Sequence, residues 1–228
     1  TNAVTAISAF TLAFGYAWGS ASSQLVQGSG TVAQDYFGQS GDISGNTAIF
    51  GASYVTNSSL NDAGAAFVFT RSGSTWSQQQ KLTPSDVGEL DYFGQDVAID
   101  GNTVVVGSPG EDVGYPSYYS VGAIYVYTRS GTTWSQQQIL TGSDATGTSD
   151  YFGKNVRIFE DTIMVTATGN TSFSGKGAAY IFTRSGTTWT QDKRLEASDA
   201  ANADYNDEID FSGGTVVMGA NGSNTTAS

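Results

Sequence analysis

The sequence predicts an all-β fold: a β-propeller built from four-stranded antiparallel blades of about 57 residues, three complete blades plus two half-blades. Three observations predict it. First, Asp91-Tyr92-Phe93-Gly94, followed by Ile99, Gly101-Asn102-Thr103 and Gly107-Ser108-Pro109, recurs from Asp35 and from Asp150, and in worn form from Tyr205 to Ala220. Second, the segment Ala66 to Trp76, with its Thr70-Arg71-Ser72-Gly73 turn, is matched by Ala123 to Trp134 and by Ala179 to Trp189. Third, each copy breaks into short apolar runs separated by turn residues, the spacing of paired hairpins. Repetition at a fixed period of this size marks a repeat architecture. A parallel β-helix is the competing one, but its coils are shorter and need no paired hairpins.

The unit that starts at Leu90 shows each strand in turn. Asp96 to Ile99 alternates apolar and polar residues, as a strand with one buried face does. Asp100-Gly101-Asn102 is a tight turn, because these residues tolerate positive φ. Thr103 to Val106 is a continuous β-branched run, suited to burial on both faces, and Gly107-Ser108-Pro109 closes it. Ala123 to Thr128 is the third strand, with Tyr125 and Tyr127 as its aromatics. Arg129-Ser130-Gly131-Thr132 turns the chain into the fourth, Thr133 to Leu140, polar-rich and expected at the outer edge.

Phe-Gly at the head of each unit, with Gly51-Ala52-Ser53, Gly107-Ser108-Pro109 or Gly219-Ala220-Asn221 after the second strand, resembles the FG-GAP repeat. The resemblance runs from Asp35 to Ala220. It implies the propeller of integrin α subunits and of many secreted microbial and algal proteins. It says less about function, since one fold hosts many sites. Integrin-type repeats often hold calcium in an Asp-x-Asp-x-Asp-Gly-x-x-Asp loop between the first two strands. Here that place holds only Ser44-Gly45-Asn46, Asp100-Gly101-Asn102, Glu160-Asp161 and Ser212-Gly213-Gly214. These offer too few oxygens for a cation that takes about six to eight. No metal or other cofactor is therefore expected.

The blades fall at residues 34–89, 90–148 and 149–203, flanked by half-blades at 1–33 and 204–228. Trp18, Trp76, Trp134 and Trp189 keep the period, spaced by 58, 58 and 55 residues. Residues 1–33 supply third and fourth strands only. They lack the Thr-Arg-Ser-Gly turn, so their hairpin is expected to be shorter or absent. Phe10, Leu12, Phe14, Tyr16 and Trp18 alternate strictly with Ala9, Thr11, Ala13, Gly15 and Ala17. Two readings fit: a core strand whose small face packs against a neighbouring blade, or an assembly strand that receives a partner chain. Thr1 to Ser8 either extends that strand or is the remnant of a processed signal, without the signal's basic start. Residues 204–228 supply first and second strands and a tail. Each half-blade exposes a sheet edge. The two halves either combine into a fourth blade within the chain or pair between chains, head to tail.

Asp35, Asp91 and Asp150 recur at the junctions and are expected to cap backbone N–H groups, with a weak cation site as the alternative. Gln78-Gln79-Gln80 and Gln136-Gln137-Gln138 are expected to form a solvated edge face, with amide ladders between chains as a second use. The long loop Gly110–Gly122, with Tyr115, Tyr118 and Tyr119, is the candidate ligand loop, since rigid scaffolds recognise partners through loops.

A net charge of −12 excludes nucleic acid and anionic membrane as partners, and no apolar run reaches the ~18 residues of a membrane span. With no histidine and no cysteine, imidazole bases, thiol nucleophiles and zinc–sulfur sites are ruled out. The adjacent carboxylates Glu111-Asp112 and Asp207-Glu208 make no glycosidase couple, because neighbours on a strand face opposite ways. No enzyme is expected. Asn57, Asn170, Asn221 and Asn224 head N-glycosylation sequons, the first two in loops between second and third strands. The function expected is that of a secreted or cell-surface structural or adhesive propeller that self-assembles through its half-blades into an oligomer or filament. The alternative is an extracellular glycan- or protein-binding module that uses the Gly110–Gly122 loop.

Overall fold

A computed structural model of the chain describes residues 10–14, 22–112, 120–144, 149–168, 177–195, 205–212 and 215–221. Two short strands come first, β1 (Phe10–Phe14) and β2 (Ser22–Val26). Blade 1 follows with β3 (Gly41–Ser44), β4 (Thr47–Ala52), β5 (Ala65–Ser72) and β6 (Thr75–Leu82). Blade 2 holds β7 (Val97–Asp100), β8 (Thr103–Ser108), β9 (Ala123–Ser130) and β10 (Thr133–Leu140). Blade 3 holds β11 (Phe152–Phe159), β12 (Thr162–Ala167), β13 (Ala178–Ser185) and β14 (Thr188–Leu195). The final pair is β15 (Tyr205–Ser212) and β16 (Thr215–Asn221). Each blade is a four-stranded antiparallel meander, and each end is a two-stranded sheet. These are the blades of a β-propeller.

The apolar core lies between blades rather than inside them. Val104 and Val106 of β8 pack with Ile49, Val68 and Leu82 of blade 1, while Val105 packs with Phe152, Val156 and Ile163 of blade 3. That is the two-sided burial expected of an unbroken β-branched run. Each such side chain contributes about 1.5–3 kcal/mol when fully buried. Phe93 and Phe152 of the recurring motif sit in these layers, edge-on to Tyr125 at 5.3 Å and Tyr180 at 5.1 Å. Glycine is needed where blades meet: a Cβ on Gly107 would lie 2.0 Å from the carbonyl oxygen of Gly153.

The glutamines of the fourth strands are not a solvated face. Gln80 accepts from the Trp134 N–H at 2.9 Å and donates to the Trp134 carbonyl at 2.8 Å. Gln24 makes the same double bond to Trp76, and Gln138 makes it to Trp189. Gln136 similarly accepts from Ser85 N–H and donates to Ser85 Oγ. Fourth strands of adjacent blades do not pair, so side-chain amides satisfy the edge backbone instead. The amide ladder is real, but it runs between blades of one chain. The Thr-Arg-Ser-Gly turn has its own work: Arg129 donates to Asn102 Oδ1 in its own blade and to Thr47 Oγ1 in the preceding one, and its guanidinium lies 5.1 Å from the centre of the Trp134 ring.

The N-terminal hairpin forms, paired from Phe10↔Val26 to Phe14↔Ser22, and it is the shorter one expected, with strands of 5 residues against 8 in the complete blades. Val26 is buried with Phe37 and Phe67, so this half-blade stands to blade 1 as blade 1 stands to blade 2. At the other end Ile209 packs against Met164 and Ala179 of blade 3. Among the described residues the two ends form separate two-stranded sheets. The side chains of Phe10, Leu12 and Phe14, and Tyr16 and Trp18 altogether, lie outside the described residues.

Candidate functional site

The first strands β3, β7 and β11, with Asp210 of β15, surround an axial cavity of about 680 Å³. These strands do not pair with one another, so their inward N–H groups need other acceptors. Asp42 accepts from Ile99 N–H at 2.8 Å. Asp96 accepts from Val156 N–H at 2.9 Å and is bridged to Arg157 at 2.8 Å. Burial pushes the Asp96 carboxyl up, against the pull of the Val156 N–H and Arg157. The turns are stitched in the same way: Ser44 Oγ accepts from Gly101 N–H, and Asp100 accepts from Glu160 N–H at 2.6 Å. Lys154 also lines the cavity, and among the described residues it has no hydrogen bond or ion pair.

At one rim stand the tyrosines of the recurring motif. Tyr36, Tyr92 and Tyr151 all adopt left-handed backbone, with φ of 54°, 54° and 51°. For a bulky residue this costs about 1–2 kcal/mol. The turn demands it: Gln39 N–H and Gln95 N–H close back on the carbonyls of Tyr36 and Tyr92, each at 3.0 Å. Phe then enters the core and Tyr faces outward. Tyr54 of the blade 1 loop joins the group, 4.9 Å from Tyr36 and 5.5 Å from Tyr92 between ring centres. A smaller cavity of about 260 Å³ opens among Tyr54, Tyr92 and Tyr151, and it shares Gln95 and Lys154 with the axial one.

Comparison with known families places this arrangement. The FG-GAP repeat matches at residues 23–69, 76–127 and 134–182. The chain belongs to the FG-GAP repeat family. A search of curated proteins finds no match. Each FG-GAP match starts in a fourth strand and ends in the third strand of the next blade, so every sequence repeat ties two blades together.

Two of the junction aspartates of the FG-GAP units cap as expected. Asp35 accepts from Val32 N–H at 2.8 Å, and Asp91 accepts from Gly88 N–H. Asp91 does more. It is buried, as is Glu111, and the two carboxyls influence each other's ionisation. Tyr125 donates to Glu111 at 2.8 Å. Burial first, and then the neighbouring carboxylate, push Glu111 up to about 7; burial raises Asp91 to about 6. Such a pair titrates as a unit, releasing its protons in coupled steps around pH 6 to 7. The expectation concerned only the adjacent pairs Glu111-Asp112 and Asp207-Glu208; the carboxyls that interact here stand 20 residues apart in sequence. A signal existed, because Glu111 and Tyr125 take the places that Val55 and Phe67 fill in blade 1. The pair lines neither cavity described above.

The ends of the Gly110–Gly122 loop are tied down: Gly122 donates to the Glu111 carbonyl at 2.8 Å, and Ser120 donates to Asp112 at 2.7 Å. Tyr115, Tyr118 and Tyr119 lie outside the described residues. Asn57 sits in a loop between second and third strands, where its amide donates to the Gly64 carbonyl and accepts from Lys81. Asn221 ends β16, its side chain undescribed, and Asn170 and Asn224 lie outside the described residues.

Proposed function

We propose that this FG-GAP chain is a non-enzymatic, extracellular structural or adhesive propeller that acts through its sheet edges, adding a strand from a second copy to complete its half-blades. One observation carries the reading. In every complete blade the second and third strands pair, as β4 with β5, β8 with β9 and β12 with β13. By repeat position β16 is a second strand and β1 a third, yet among the described residues β16 pairs only with β15 and β1 only with β2. Each edge offers what the other lacks, and unpaired edges of this kind recruit strands. The contact is head to tail, so it closes into a ring or extends into a filament according to its rotation. The family supports an extracellular setting, and among the described residues no helix is long and apolar enough to cross a membrane.

Sedimentation of the chain, and of a variant lacking residues 1–18, tests the proposal. The chain is expected to form concentration-dependent oligomers, and the shortened variant to be a folded monomer. A parent chain that stays monomeric at high concentration would overturn the reading. In eukaryotic expression, glycans on Asn57 and Asn170 are expected in the intact mass, and the bare polypeptide mass would count against an extracellular setting. The well-tethered Gly110–Gly122 loop supports a second reading, a glycan or protein ligand that is lost on Tyr118→Ala and Tyr119→Ala.

A further inference from the structure

The geometry points to a separate binding site at the axial rim: a carboxylated sugar, one uronate ring of an acidic polysaccharide, held in the tyrosine-walled cavity with its face on Tyr92 and Tyr151 and its carboxylate on Lys154. The site is independent of the sheet edges.

The backbone speaks first. Tyr36, Tyr92 and Tyr151 occupy left-handed positions where Asn or Gly would remove the strain, and such strain is kept where it serves a site. Their rings do not offset the cost by filling the core, since Tyr36 is 58% exposed and Tyr151 40% exposed. Outward phenol rings that gather with Tyr54 form a wall on which the C–H face of a pyranose stacks, while hydroxyls reach polar neighbours.

Size and chemistry narrow the guest. The cavity, about 260 Å³, lies just under the roughly 300–1,000 Å³ typical of sites for drug-sized ligands, which suits a single sugar ring. It shares Gln95 and Lys154 with the larger axial cavity, whose Asp42, Asp96 and Asp210 admit a neutral neighbouring sugar and repel a second uronate. The amide of Gln95 both donates and accepts, as sugar hydroxyls require, and its one bond to another side chain is a 3.5 Å contact with Ser53.

Charge selects the carboxylate. Arg157, Arg184 and Arg194 each have an acidic partner, whereas Lys154 has none among the described residues. An ammonium with no ion pair among the described residues, set in a tyrosine wall, attracts one carboxylate at short range, on the side away from Asp42, Asp96 and Asp210 of the axial cavity. It also repels a cationic guest that the tyrosine rings alone would welcome.

Calorimetric titration of the full chain with sodium glucuronate, glucose and acetate tests the proposal. Glucuronate is expected to bind saturably with a Kd of about 1 mM or tighter, glucose about tenfold more weakly, and acetate not measurably. Lys154→Gln removes the preference for glucuronate over glucose. Tyr92→Asn and Tyr151→Asn each weaken both sugars about tenfold, while asparagine's tolerance of left-handed backbone preserves the fold, as melting curves will show. Four results overturn the proposal: no saturation by about 10 mM glucuronate, glucose binding as well as glucuronate, acetate binding as well as glucuronate, or affinity that survives the lysine and tyrosine changes in folded variants.

Discussion

Blades 1 and 2 share a backbone and differ in what they bury at one place. In blade 1 Val55 donates to Ala52 at 3.3 Å and accepts from Gly64 at 2.9 Å; in blade 2 Glu111 donates to Ser108 at 3.2 Å and accepts from Gly122 at 2.8 Å. Asp35 and Asp91 cap the preceding turn in the same manner. Yet Val55 and Phe67 make an apolar contact surface in blade 1, where Glu111 and Tyr125 make a hydrogen-bonded carboxyl–phenol pair in blade 2. The difference teaches that the repeated backbone, held by glycine contacts and glutamine clamps, does not dictate the chemistry it encloses. Blade 2 holds two buried carboxyls where the Gly88 N–H and the Tyr125 hydroxyl replace part of the water they lost.

Breaking the comparison gives the largest effect. Val55→Glu puts a carboxyl into blade 1 opposite Phe67, which has no hydroxyl, so urea unfolding at pH 8 should show a loss of about 3–5 kcal/mol. A loss no greater than that of an ordinary surface change would mean that blade 1 already has room for the charge. Converting blade 2 into blade 1, with Glu111→Val and Tyr125→Phe together, should stabilise by about 1–4 kcal/mol at pH 8.

The same double change has a pH signature. Asp91 and Glu111 are raised in the folded chain to about 6 and about 7, above their ordinary values near 4, so the folded state holds more protons than the unfolded state between these limits. Stability is therefore greatest below about pH 4 and falls as pH rises from about 4 to about 7, by several kcal/mol in order of magnitude. The variant should lose the Glu111 share of this fall and keep that of Asp91, which burial raises, and parallel pH profiles would sink the account.

Smaller effects sharpen the picture of the frame itself. Gln80→Ala frees an N–H and a carbonyl of Trp134 and should cost about 1–2 kcal/mol, and Gln138→Ala at the Trp189 clamp should match it. Gln24→Ala should instead release β1 and β2 and lower the oligomer fraction more than the melting temperature. The smallest expected change is none at all. Melting curves with chelator and with added calcium should overlay, and a rise of several degrees with calcium would show that the acidic groups of blade 2 hold a cation in place of their proton.

Much of this was readable without coordinates. The Phe-Gly period, the Asp100-Gly101-Asn102 turn and the run from Thr103 to Val106 dictate hairpins and a two-faced strand, because φ tolerance and side-chain alternation are local properties. Local properties do not say which neighbour a side chain meets. The glutamine triplets looked like solvent-facing edge, and only the spacing of adjacent fourth strands turned Gln80 and Gln138 into clamps on the next tryptophan. Asp91 and Glu111 lie far enough apart in sequence that only the fold of the blade 2 loop made them one titrating pair. The tyrosine rim belongs here too. The text shows Tyr beside Phe-Gly three times and the left-handed turn is local, but only the packing of neighbouring blades gathers Tyr54, Tyr92 and Tyr151 with Lys154. Repeats are written in the sequence because each is local; the sites are not, because each draws on groups that meet only when blades stack.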